Sequence, residues 1–487
     1  MLARALTHAL VGLDSRAVEV EAHVHTGRVP GFGIVGLADR ACQEAKERVR
    51  SGITSAELQW PKDRRTTVNL APAGLRKEGS AFDLPIALAI LAASQQLPAE
   101  ALGGHAFVGE LALDGRVRPV HGVLAVAEGA RRLGVERLVC PAACAAEAAL
   151  AGVRPIPVRH LAEAVAYLRG DGEPEPAPPP NGRPRPPFAD LADVRGQERG
   201  RRALELAAAG AHNVLLAGPP GTGKTMLSHR LPGILPPLTE QQCLEVTRIH
   251  SVAGLLEPGR PLVTEPPFRR PHHTSSTAAI VGGGPGPRPG EASLAHRGVL
   301  FLDELPEFAR PALEALRQPI EDGTVSVARV GGRLIFPAAF QLVGTMNLCP
   351  CGGQGDPAAD CSCTPQRLAA FRDKLSRALL DRFDLVILMP RSRAAELSAE
   401  PSEQSDPVRH RVVEARVRLA DACPPMSTGA RGLLDRAVER LPLSGRGRAR
   451  VARVSQTIAA LAGAEQIDSE HVAEALSYRP PNEFTPV

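Results

Sequence analysis

The stretch Asn213-Val-Leu-Leu-Ala-Gly-Pro-Pro-Gly-Thr-Gly-Lys-Thr225 joins a short apolar run to a glycine-rich loop and to the start of a helical pattern. The apolar run predicts a buried strand, and the helix is expected to begin at about Lys224. The loop has the spacing G-x-x-x-x-G-K-[ST], in which backbone N–H groups converge on a phosphate at a helix N-terminus. The predicted fold class is therefore α/β, with a parallel sheet that carries a phosphate-binding loop.

This loop predicts a site for ATP and Mg²⁺. Lys224 places an ammonium group at the β- and γ-phosphates, and Thr225 offers a hydroxyl group to the metal. A glycine-rich turn without a ligand is the alternative, which the strand before the loop and the helix after it disfavour. The cofactor-binding residues predicted here are Gly218, Pro219, Pro220, Gly221, Thr222, Gly223, Lys224 and Thr225.

A second apolar strand, with the sequence GVLFLDE, ends in the adjacent carboxylates Asp303 and Glu304. Asp303 suits coordination of Mg²⁺, and Glu304 suits orienting and polarising the water that attacks the terminal phosphate. Taken alone, the two acids fit an ordinary helix start equally well. Their position downstream of the phosphate-binding loop favours hydrolysis of the nucleotide over binding alone.

Two more apolar strands are predicted, one ending at Asn347 and one near Met389. Short apolar strands separated by helical patterns indicate a parallel sheet with crossover helices. Asn347 either contacts the γ-phosphate and the attacking water or is a common strand-end turn residue. Arg382, in the segment LLDRFDL, is either a salt-bridged surface arginine or a guanidinium group delivered to a neighbouring subunit's phosphate, which requires a ring.

The 487-residue chain is too long for one core and predicts several domains. A run of eight prolines between Pro174 and Pro187 marks a semi-rigid spacer. The expected segments are an N-terminal α/β domain (1–170), this linker (171–187), a P-loop core (188–395) and a helical lid (396–487). Within the lid, Ser444 is expected to cap a helix over Gly445–Leu461.

Composition restricts the setting of the protein. The longest apolar run, Leu84–Ala93, is too short to cross a bilayer, and the N-terminus lacks the apolar core of an export signal. We therefore expect a cytoplasmic protein without membrane contact. The net charge of +4 neither indicates nor excludes a nucleic-acid partner. With 3% aromatic residues, any grip on DNA is expected to be through phosphates rather than stacked bases.

Two insertions interrupt the P-loop core. The segment Thr324–Phe336 has alternating runs on either side of a Gly-Gly pair, which predicts a β-hairpin with Arg329 and Arg333 at its tip. The hairpin is either plain edge structure or a basic finger that contacts DNA in a central pore. The Gly/Pro-rich segment Val281–Ser293 is expected to be a loop, with a mobile lid, a pore loop and an inert connector all open.

Four of the nine cysteines lie in the segment CPCGGQGDPAADCSC, as Cys349, Cys351, Cys361 and Cys363. A reducing compartment argues against disulfides. Four thiolates in two pairs suit tetrahedral Zn²⁺, although the C-x-C spacing is less diagnostic than C-x₂-C. A structural zinc site and four reduced cysteines in a loop are both open.

The order of the motifs along the chain resembles that of an AAA+ ATPase. These motifs are the phosphate loop, the acidic strand end, Asn347, the LLDRFD segment and the helical lid. Longer strings are more specific. They are FGIVGLADRACQEAKERVRSGI at Phe32–Ile53, VNLAPAGLRKEGSAFDLPIALAILAA at Val68–Ala93 and FRRPHHTSSTAAIVGGGPGPRPGEASLAHRGVLFLDELPEF at Phe268–Phe308. Over nearly the whole chain, these strings resemble the YifB/ComM family of magnesium-chelatase-like AAA+ proteins.

For the N-terminal domain, the resemblance implies the ribosomal-S5-like α/β fold of Lon-type protease domains. It sets Ala81 at the position of the Lon nucleophile and Leu124 at that of the dyad lysine, so peptidase activity is not expected. Ser80 lies beside the nucleophile position but has no lysine or histidine base in the matching segments. We expect this domain to be a scaffold or a DNA-engaging collar.

For the ATPase, the resemblance implies that Asn347 is the first sensor, Arg382 the arginine finger and Arg446 the second sensor, with Arg450 the alternative register. Family members are understood as hexameric motors that drive branch migration of recombination intermediates during uptake of transforming DNA. We expect that function here, with single-stranded or branched DNA and further copies of the chain as partners. The alternative is a chelatase-type ATPase that remodels a protein partner.

Overall fold

The computed structural model describes residues 1–487 except 27–28, 38, 177–187, 258, 285–287, 330–331, 399, 422–423, 442 and 480–487. The chain forms two compact units. The first unit consists of Met1–Pro184 and Glu240–Val263, and the second of Arg185–Thr239 and Thr264–Val487. Most of the predicted linker (171–187) lies outside the described residues, because 177–187 are not among them. No helix in the described part of the chain combines the length and the hydropathy that crossing a bilayer requires.

The first unit is a mixed α/β fold, as predicted. Its strands are β1 (Leu2–Val11), β2 (Asp14–His25), β3 (Gly31–Val35), β4 (Arg65–Ala71), β5 (His105–Phe107), β6 (Glu110–Leu111), β7 (Val117–Arg118), β8 (Arg137–Pro141) and β9 (Arg154–Val158). Its first five helices are α1 (Arg40–Ser55), α2 (Asp83–Ala93), α3 (Val123–Arg132), α4 (Ala145–Ala149) and α5 (Leu161–Arg169). Seven strands form one sheet in the order β3-β4-β2-β1-β5-β8-β9, and β6 pairs with β7 in a separate hairpin.

Helix α2 is the centre of this unit, because every one of its residues is buried, including the charged Asp83 at its start. The Asp83 carboxylate accepts hydrogen bonds from Arg48 of α1 at 2.6 and 3.0 Å. Burial raises the pKa of Asp83 to about 6, against the opposing effect of the Arg48 guanidinium. The buried Asp83 carboxylate also accepts the Leu111 N–H at 3.2 Å, and it depends on Arg48 for its opposite charge.

The positions compared with Lon-type catalytic groups lie in the same unit. Leu124 is fully buried in α3, and Ala81 packs against the same small apolar cluster. The Ser80 hydroxyl donates to the carboxylate of Glu110, which also accepts from Arg118 at 3.4 Å. The Ser80 hydroxyl therefore contacts a carboxylate where a serine nucleophile needs a lysine or histidine base.

The second unit contains the phosphate-binding loop. Its strands are β10 (Val214–Ala217), β11 (Phe268–Arg269), β12 (Gly282–Gly283), β13 (Arg288–Pro289), β14 (Val299–Leu302), β15 (Thr324–Arg329), β16 (Gly332–Pro337), β17 (Gln341–Met346) and β18 (Leu385–Leu388). The helices that follow α5 are α6 (Glu198–Gly210), α7 (Lys224–Ser228), α8 (Leu231–Ile234), α9 (Glu240–Ala253), α10 (Thr277–Val281), α11 (Glu291–Leu294), α12 (Arg310–Ala315), α13 (Arg317–Asp322), α14 (Pro365–Arg372), α15 (Arg377–Leu380), α16 (Ala394–Leu397), α17 (Ser405–Asp421), α18 (Thr428–Arg440), α19 (Gly445–Ala462) and α20 (Ser469–Ser477).

A five-stranded sheet in the order β11-β14-β17-β10-β18 forms the core of this unit, and all of its neighbouring strands are parallel. The four strands predicted from the sequence are present and parallel, which confirms the parallel-sheet prediction. The edge strand β11 was not predicted, because two residues are too few to form a periodic pattern. Since the strands are parallel, their carboxyl ends meet at one edge of the sheet.

The lid and the two insertions follow from local sequence signals. Helices α17 and α19 pack against α6, and the Ser444 hydroxyl accepts the Gly447 N–H at 3.1 Å, as predicted for a helix cap. Strands β15 and β16 pair antiparallel, which confirms the predicted hairpin, although its Gly-Gly turn includes residue 331, outside the described residues. The prediction of a loop at Val281–Ser293 was wrong in part, because β12 and β13 pair within it.

Helix α9 belongs to the first unit, although the sequence analysis included it in the 188–395 segment. Its Arg248 pairs with Glu128 at 2.6 Å, and the carbonyl of Ser251 accepts the Gly122 N–H at 3.1 Å. The Ser251 hydroxyl donates to Glu147, a carboxyl group whose pKa is raised by burial. These contacts are long-range, and no local pattern in the sequence indicates them.

Arg48→Met is expected to destabilise the first unit by about 3–5 kcal/mol, because it leaves the buried Asp83 carboxylate unpaired. The folded-state pKa of Asp83 lies above its unfolded value, so this group favours the folded state below about pH 4 and loses that contribution as the pH rises through about 6. Without Arg48 the folded pKa rises further. The loss of stability is therefore expected to be larger at pH 8 than at pH 5.

Urea unfolding followed by the fluorescence of Trp60 measures this loss, because Trp60 is the chain's one tryptophan and packs against the core of this unit. The matched control is Arg40→Met on the same helix, where the side chain is 94% exposed and the change is expected to stay within about 0.5 kcal/mol. Equal unfolding free energies for the Arg48 and Arg40 variants would contradict the role of the buried pair.

Candidate nucleotide-binding site

The phosphate-binding loop connects β10 to α7 at the carboxyl edge of the sheet. Gly223 precedes the first helical residue with a φ of 85°, a left-handed conformation that favours glycine. Gly218 has no room for a side chain, since an added Cβ would lie 2.3 Å from the carbonyl oxygen of Met389. The glycines therefore serve both the turn and the close approach of the loop to the residue that follows β18.

Lys224, the first residue of α7, is buried under this loop. Its ammonium group donates to the carbonyl oxygens of Gly218 and Pro219, both at 2.7 Å, and to the Asn347 Oδ1 atom at 3.2 Å. Burial lowers the pKa of Lys224, while Asp303 and Glu304 act in the opposite direction. The structure thus brings together the lysine, the sensor candidate Asn347 and the two acids that sequence analysis selected.

Asp303, which directly follows β14, receives hydroxyl groups from two other elements. The Thr225 hydroxyl donates to its carboxylate at 3.1 Å, and the Thr345 hydroxyl of β17 donates at 2.6 Å. Mg²⁺ prefers hard oxygen ligands and is usually held by one or two protein groups together with phosphates and water. The adjacent Thr225 hydroxyl and Asp303 carboxylate fit that requirement, whereas Thr345 was not anticipated from the sequence.

Glu304 has a φ of 55°, a left-handed backbone conformation that is uncommon for a residue with a side chain. Its N–H donates to the Thr345 hydroxyl at 3.0 Å, which holds this conformation in place. Glu304 lines a cavity of about 440 Å³ together with Asn347, Cys349 and Arg367. Such backbone strain is concentrated at functional sites, and here it directs a carboxylate toward a space next to Asn347.

Arg270 is a site residue that sequence analysis missed. It follows the edge strand β11, and its guanidinium group donates to the second oxygen of Asp303 at 2.6 Å. The same group lies 5.6 Å from the centre of the Phe301 ring, and its other nitrogen is 3.4 Å from the His229 ring. The string FRRPHH contained this residue, but the unrecognised strand before it hid its position beside Asp303.

The arginine-finger candidate Arg382 and the second-sensor candidates Arg446 and Arg450 lie in ion pairs within the chain. Arg382 is buried, 6% exposed, and its guanidinium group donates to Glu321 at 2.7 Å and to the carbonyl oxygen of Ala378. Arg382 is therefore salt-bridged, as the alternative interpretation held, but it is buried and not on the surface. Arg446 is 65% exposed and pairs with the same Glu321 at 3.2 Å. Arg450, the alternative second sensor, is nearly buried and pairs with Asp384 at 3.3 Å.

A larger cavity of about 1120 Å³ opens on the other side of the phosphate loop and was not predicted. It lies between the start of α6, the ends of β10 and β18, and the lid. Gly196 and Gln197 at its wall both have left-handed φ angles, and the Gln197 amide donates to the carbonyl oxygen of Pro390 at 2.7 Å. Its size and its contact with Gly218 suit the nucleoside part of a nucleotide.

The remaining predicted site residues lie in the cysteine loop and in the β15–β16 hairpin. The four sulfur atoms of Cys349, Cys351, Cys361 and Cys363 lie within 4.8 Å of one another. Arg333 is exposed on β16, and its side chain donates to the Ser326 hydroxyl across the hairpin. The side chain of Arg329 lies outside the described residues, so the structure places only its backbone, at the end of β15.

Three adjacent parallel strands end in a phosphate loop, an acidic pair and a polar residue, and a helical lid follows them in the chain. These features define an ATPase domain of the AAA+ type. Comparison with known families agrees. Residues 190–397 match the family described as magnesium chelatase, subunit ChlI; residues 20–144 match subunit ChlI of Mg-chelatase; and residues 416–479 match the C-terminal part of the same subunit.

Individual relatives match over nearly their whole length. The chain is 46% identical to an uncharacterized protein of Mycobacterium tuberculosis, over 98% of both chains. It is 41% identical to the protein YifB of Escherichia coli, over 97% of this chain and 96% of that one. It is 39% identical to the competence protein ComM of Haemophilus influenzae, over 98% and 97%. The chain belongs to the YifB/ComM family of magnesium-chelatase-like proteins.

Glu304→Gln is expected to retain nucleotide binding and to lose hydrolysis by at least about 100-fold, because an amide cannot polarise the attacking water. Binding of a fluorescent ATP analogue and release of phosphate measure the two properties separately. Glu307→Gln is the matched control, since Glu307 lines the same cavity but pairs with Lys374 at 3.1 Å. Undiminished hydrolysis by the Glu304 variant would refute the assignment of this carboxylate.

Proposed function

We propose that this protein is a cytoplasmic, ATP-hydrolysing ring motor that acts on DNA and moves the branch points of recombination intermediates when transforming DNA is incorporated. The observation that carries the ATPase part is the convergence of Lys224, Thr225, Asp303 and Asn347 at one edge of the sheet. The DNA part is supported by the basic hairpin β15–β16 and by a relative whose name is competence protein ComM.

In the proposed reaction, Lys224 leaves the carbonyl oxygens of its own loop and donates to the phosphates of ATP. Thr225 and Asp303 would hold Mg²⁺, which would supply positive charge to stabilise the phosphates. The Asn347 amide lies next to Lys224 and orients the attacking water, and Glu304 accepts its proton. Arg270 exchanges its bond to Asp303 for a position at the rim of the site, where its positive charge favours a negatively charged ligand.

The ring in this proposal, a hexamer, depends on one arginine, Arg382, supplied between subunits. Arg446 is exposed and shares Glu321 with the buried Arg382. An interface that engages Glu321 would release Arg382 from its partner and allow the guanidinium to reach a neighbouring phosphate. The same geometry explains why the isolated chain keeps this positive charge neutralised, since an unpaired buried arginine is costly.

A second function within the same class of ATPase is remodelling of a protein partner, as in magnesium chelation. The observation in its favour is that the three matching families are all named for a chelatase subunit. Both functions use the same hydrolytic site, so they differ in what stimulates hydrolysis. A motor of the proposed kind responds to branched DNA, and a chelatase-type ATPase responds to a protein.

The proposed function predicts that purified protein hydrolyses ATP faster when branched DNA is added and that it moves the branch of a synthetic four-way junction in an ATP-dependent way. Lys224→Ala, which removes the phosphate contact, is expected to lose both activities by at least about 100-fold. The variant Lys62→Ala alters an exposed lysine of the first unit and serves as the control. Hydrolysis that is indifferent to DNA, with no junction movement, would contradict the motor and favour the protein-remodelling alternative.

Arg333→Ala is expected to leave basal hydrolysis near normal and to weaken DNA binding, because it removes a phosphate-binding cation from an exposed hairpin. Binding measured over a range of salt concentrations should show a slope smaller by about one unit for each arginine that is replaced. The double variant with Arg329→Ala should lower the slope further. Arg440→Ala, at an exposed end of α18, is the control, and an unchanged salt slope in the hairpin variants would show that DNA binds elsewhere.

A further inference from the structure

We propose that Cys349, Cys351, Cys361 and Cys363 form a structural zinc site built against the phosphate-binding loop. This site goes beyond the proposed function and does not depend on DNA as the substrate. In the part of the chain that the structure describes, these four residues form the one group of histidine, cysteine or acidic side chains with the mutual distances that a metal requires.

The distances between the sulfur atoms fit one tetrahedral ion. A Zn–S bond is about 2.3 Å, which sets sulfur atoms at the corners of the tetrahedron about 3.8 Å apart. The Sγ atom of Cys361 lies 3.7 Å from those of both Cys349 and Cys351, and the Cys349–Cys351 distance is 3.3 Å. All of these exceed a disulfide bond, and they are too short for a cluster whose sulfur ligands bind different iron atoms.

Backbone groups of the same loop support the thiolates. The N–H of Gln354 donates to the Cys349 sulfur at 3.2 Å, and that of Gly353 lies 3.5 Å from the Cys351 sulfur. Hydrogen bonds of this kind orient and stabilise metal ligands. Gly353 is also required sterically, because an added Cβ would lie 2.8 Å from the carbonyl oxygen of Asp360, next to the second cysteine pair.

The length of the connection gives an independent reason for a metal. Residues 347–364, between β17 and α14, contain no helix or strand. Loops longer than about 12–15 residues without secondary structure are uncommon in compact domains, since few backbone contacts offset the entropy of ordering them. One ion bound to all four thiolates would join the two cysteine pairs of this loop. Its binding free energy would offset the entropy cost of ordering the loop.

The position of the loop indicates what the metal stabilises. A Cβ at Gly352 would lie 3.0 Å from the Pro220 ring of the phosphate-binding loop. Leu348 and Gly355 line the larger cavity, and Cys349 lines the smaller cavity together with Glu304. The zinc site therefore holds one wall of both cavities and fixes the segment that directly follows Asn347. We expect loss of the metal to weaken nucleotide binding through this wall.

Metal analysis of the full chain, purified without chelator, tests the proposal. We expect about one zinc ion per chain in the unaltered protein and in the Ser362→Ala control, which changes the same loop without removing a thiolate. Cys361→Ser should retain less than about a fifth of that zinc. Absence of zinc from the unaltered protein after incubation with zinc chloride and desalting would overturn the proposal, and so would stoichiometric iron or two disulfides between these cysteines.

A second measurement covers the possibility that Cys361→Ser fails to fold. Zinc is removed from the unaltered protein with a zinc chelator that is then removed by desalting, and binding of a fluorescent ATP analogue is measured before and after. We expect binding to weaken at least about tenfold and to recover with zinc chloride but not with magnesium chloride. Unchanged affinity in the zinc-free protein would refute the role of the metal in shaping the nucleotide cavities. Both readouts are independent of any activity on DNA.

Discussion

The carboxylate of Asp303 is the group on which the geometry of the nucleotide site depends. It follows β14 and is bonded to Thr225 at the start of α7, to Thr345 in β17 and to Arg270 after β11, so four elements are fixed at one group. This is possible because parallel strands end together at one edge of the sheet. Thr345 contributes twice, since its hydroxyl group also accepts the N–H of Glu304 and thereby sets the direction of that side chain.

Two acids of the P-loop core each bind two arginines, at least one of which lies in the lid. Glu321 accepts Arg382 and Arg446, and Asp384 accepts Arg450 and Arg453. Burial opposes ionisation of Asp384, yet nearby His212 and Arg453 keep its pKa below the ordinary value. Each of these acids therefore balances the charge of only one of its two arginines.

The parts of the structure that could be predicted are those with local signals. The phosphate loop, the four longer strands of the sheet, the β15–β16 hairpin and the Ser444 cap all follow from spacing within a few residues. The edge strand β11 has two residues and no period, so neither it nor Arg270 could be located. Thr345 resembles any strand threonine in the sequence, and the larger cavity is formed by segments that lie far apart in the chain.

The cysteine loop was likewise only partly predictable from the sequence. The spacing of the four cysteines left a metal and a free loop equally open, because a C-x-C pair fixes only two ligands at a time. The meeting of the two pairs depends on the path of the chain between them, including the close approach of Gly353 to Asp360. Distances between sulfur atoms therefore carried information that spacing along the chain did not.

Helix α9 has a consequence for how the protein can be divided. The chain leaves the first unit, forms the beginning of the second, returns for Glu240–Val263 and leaves again, so it crosses between them three times. Cutting within the proline-rich segment would give an N-terminal fragment that lacks the Ser251 partner of Glu147. The complementary fragment would carry α9 without the residues it packs against. The two units are therefore interlaced in sequence, and a single cut between them leaves one unit without a segment that belongs to it.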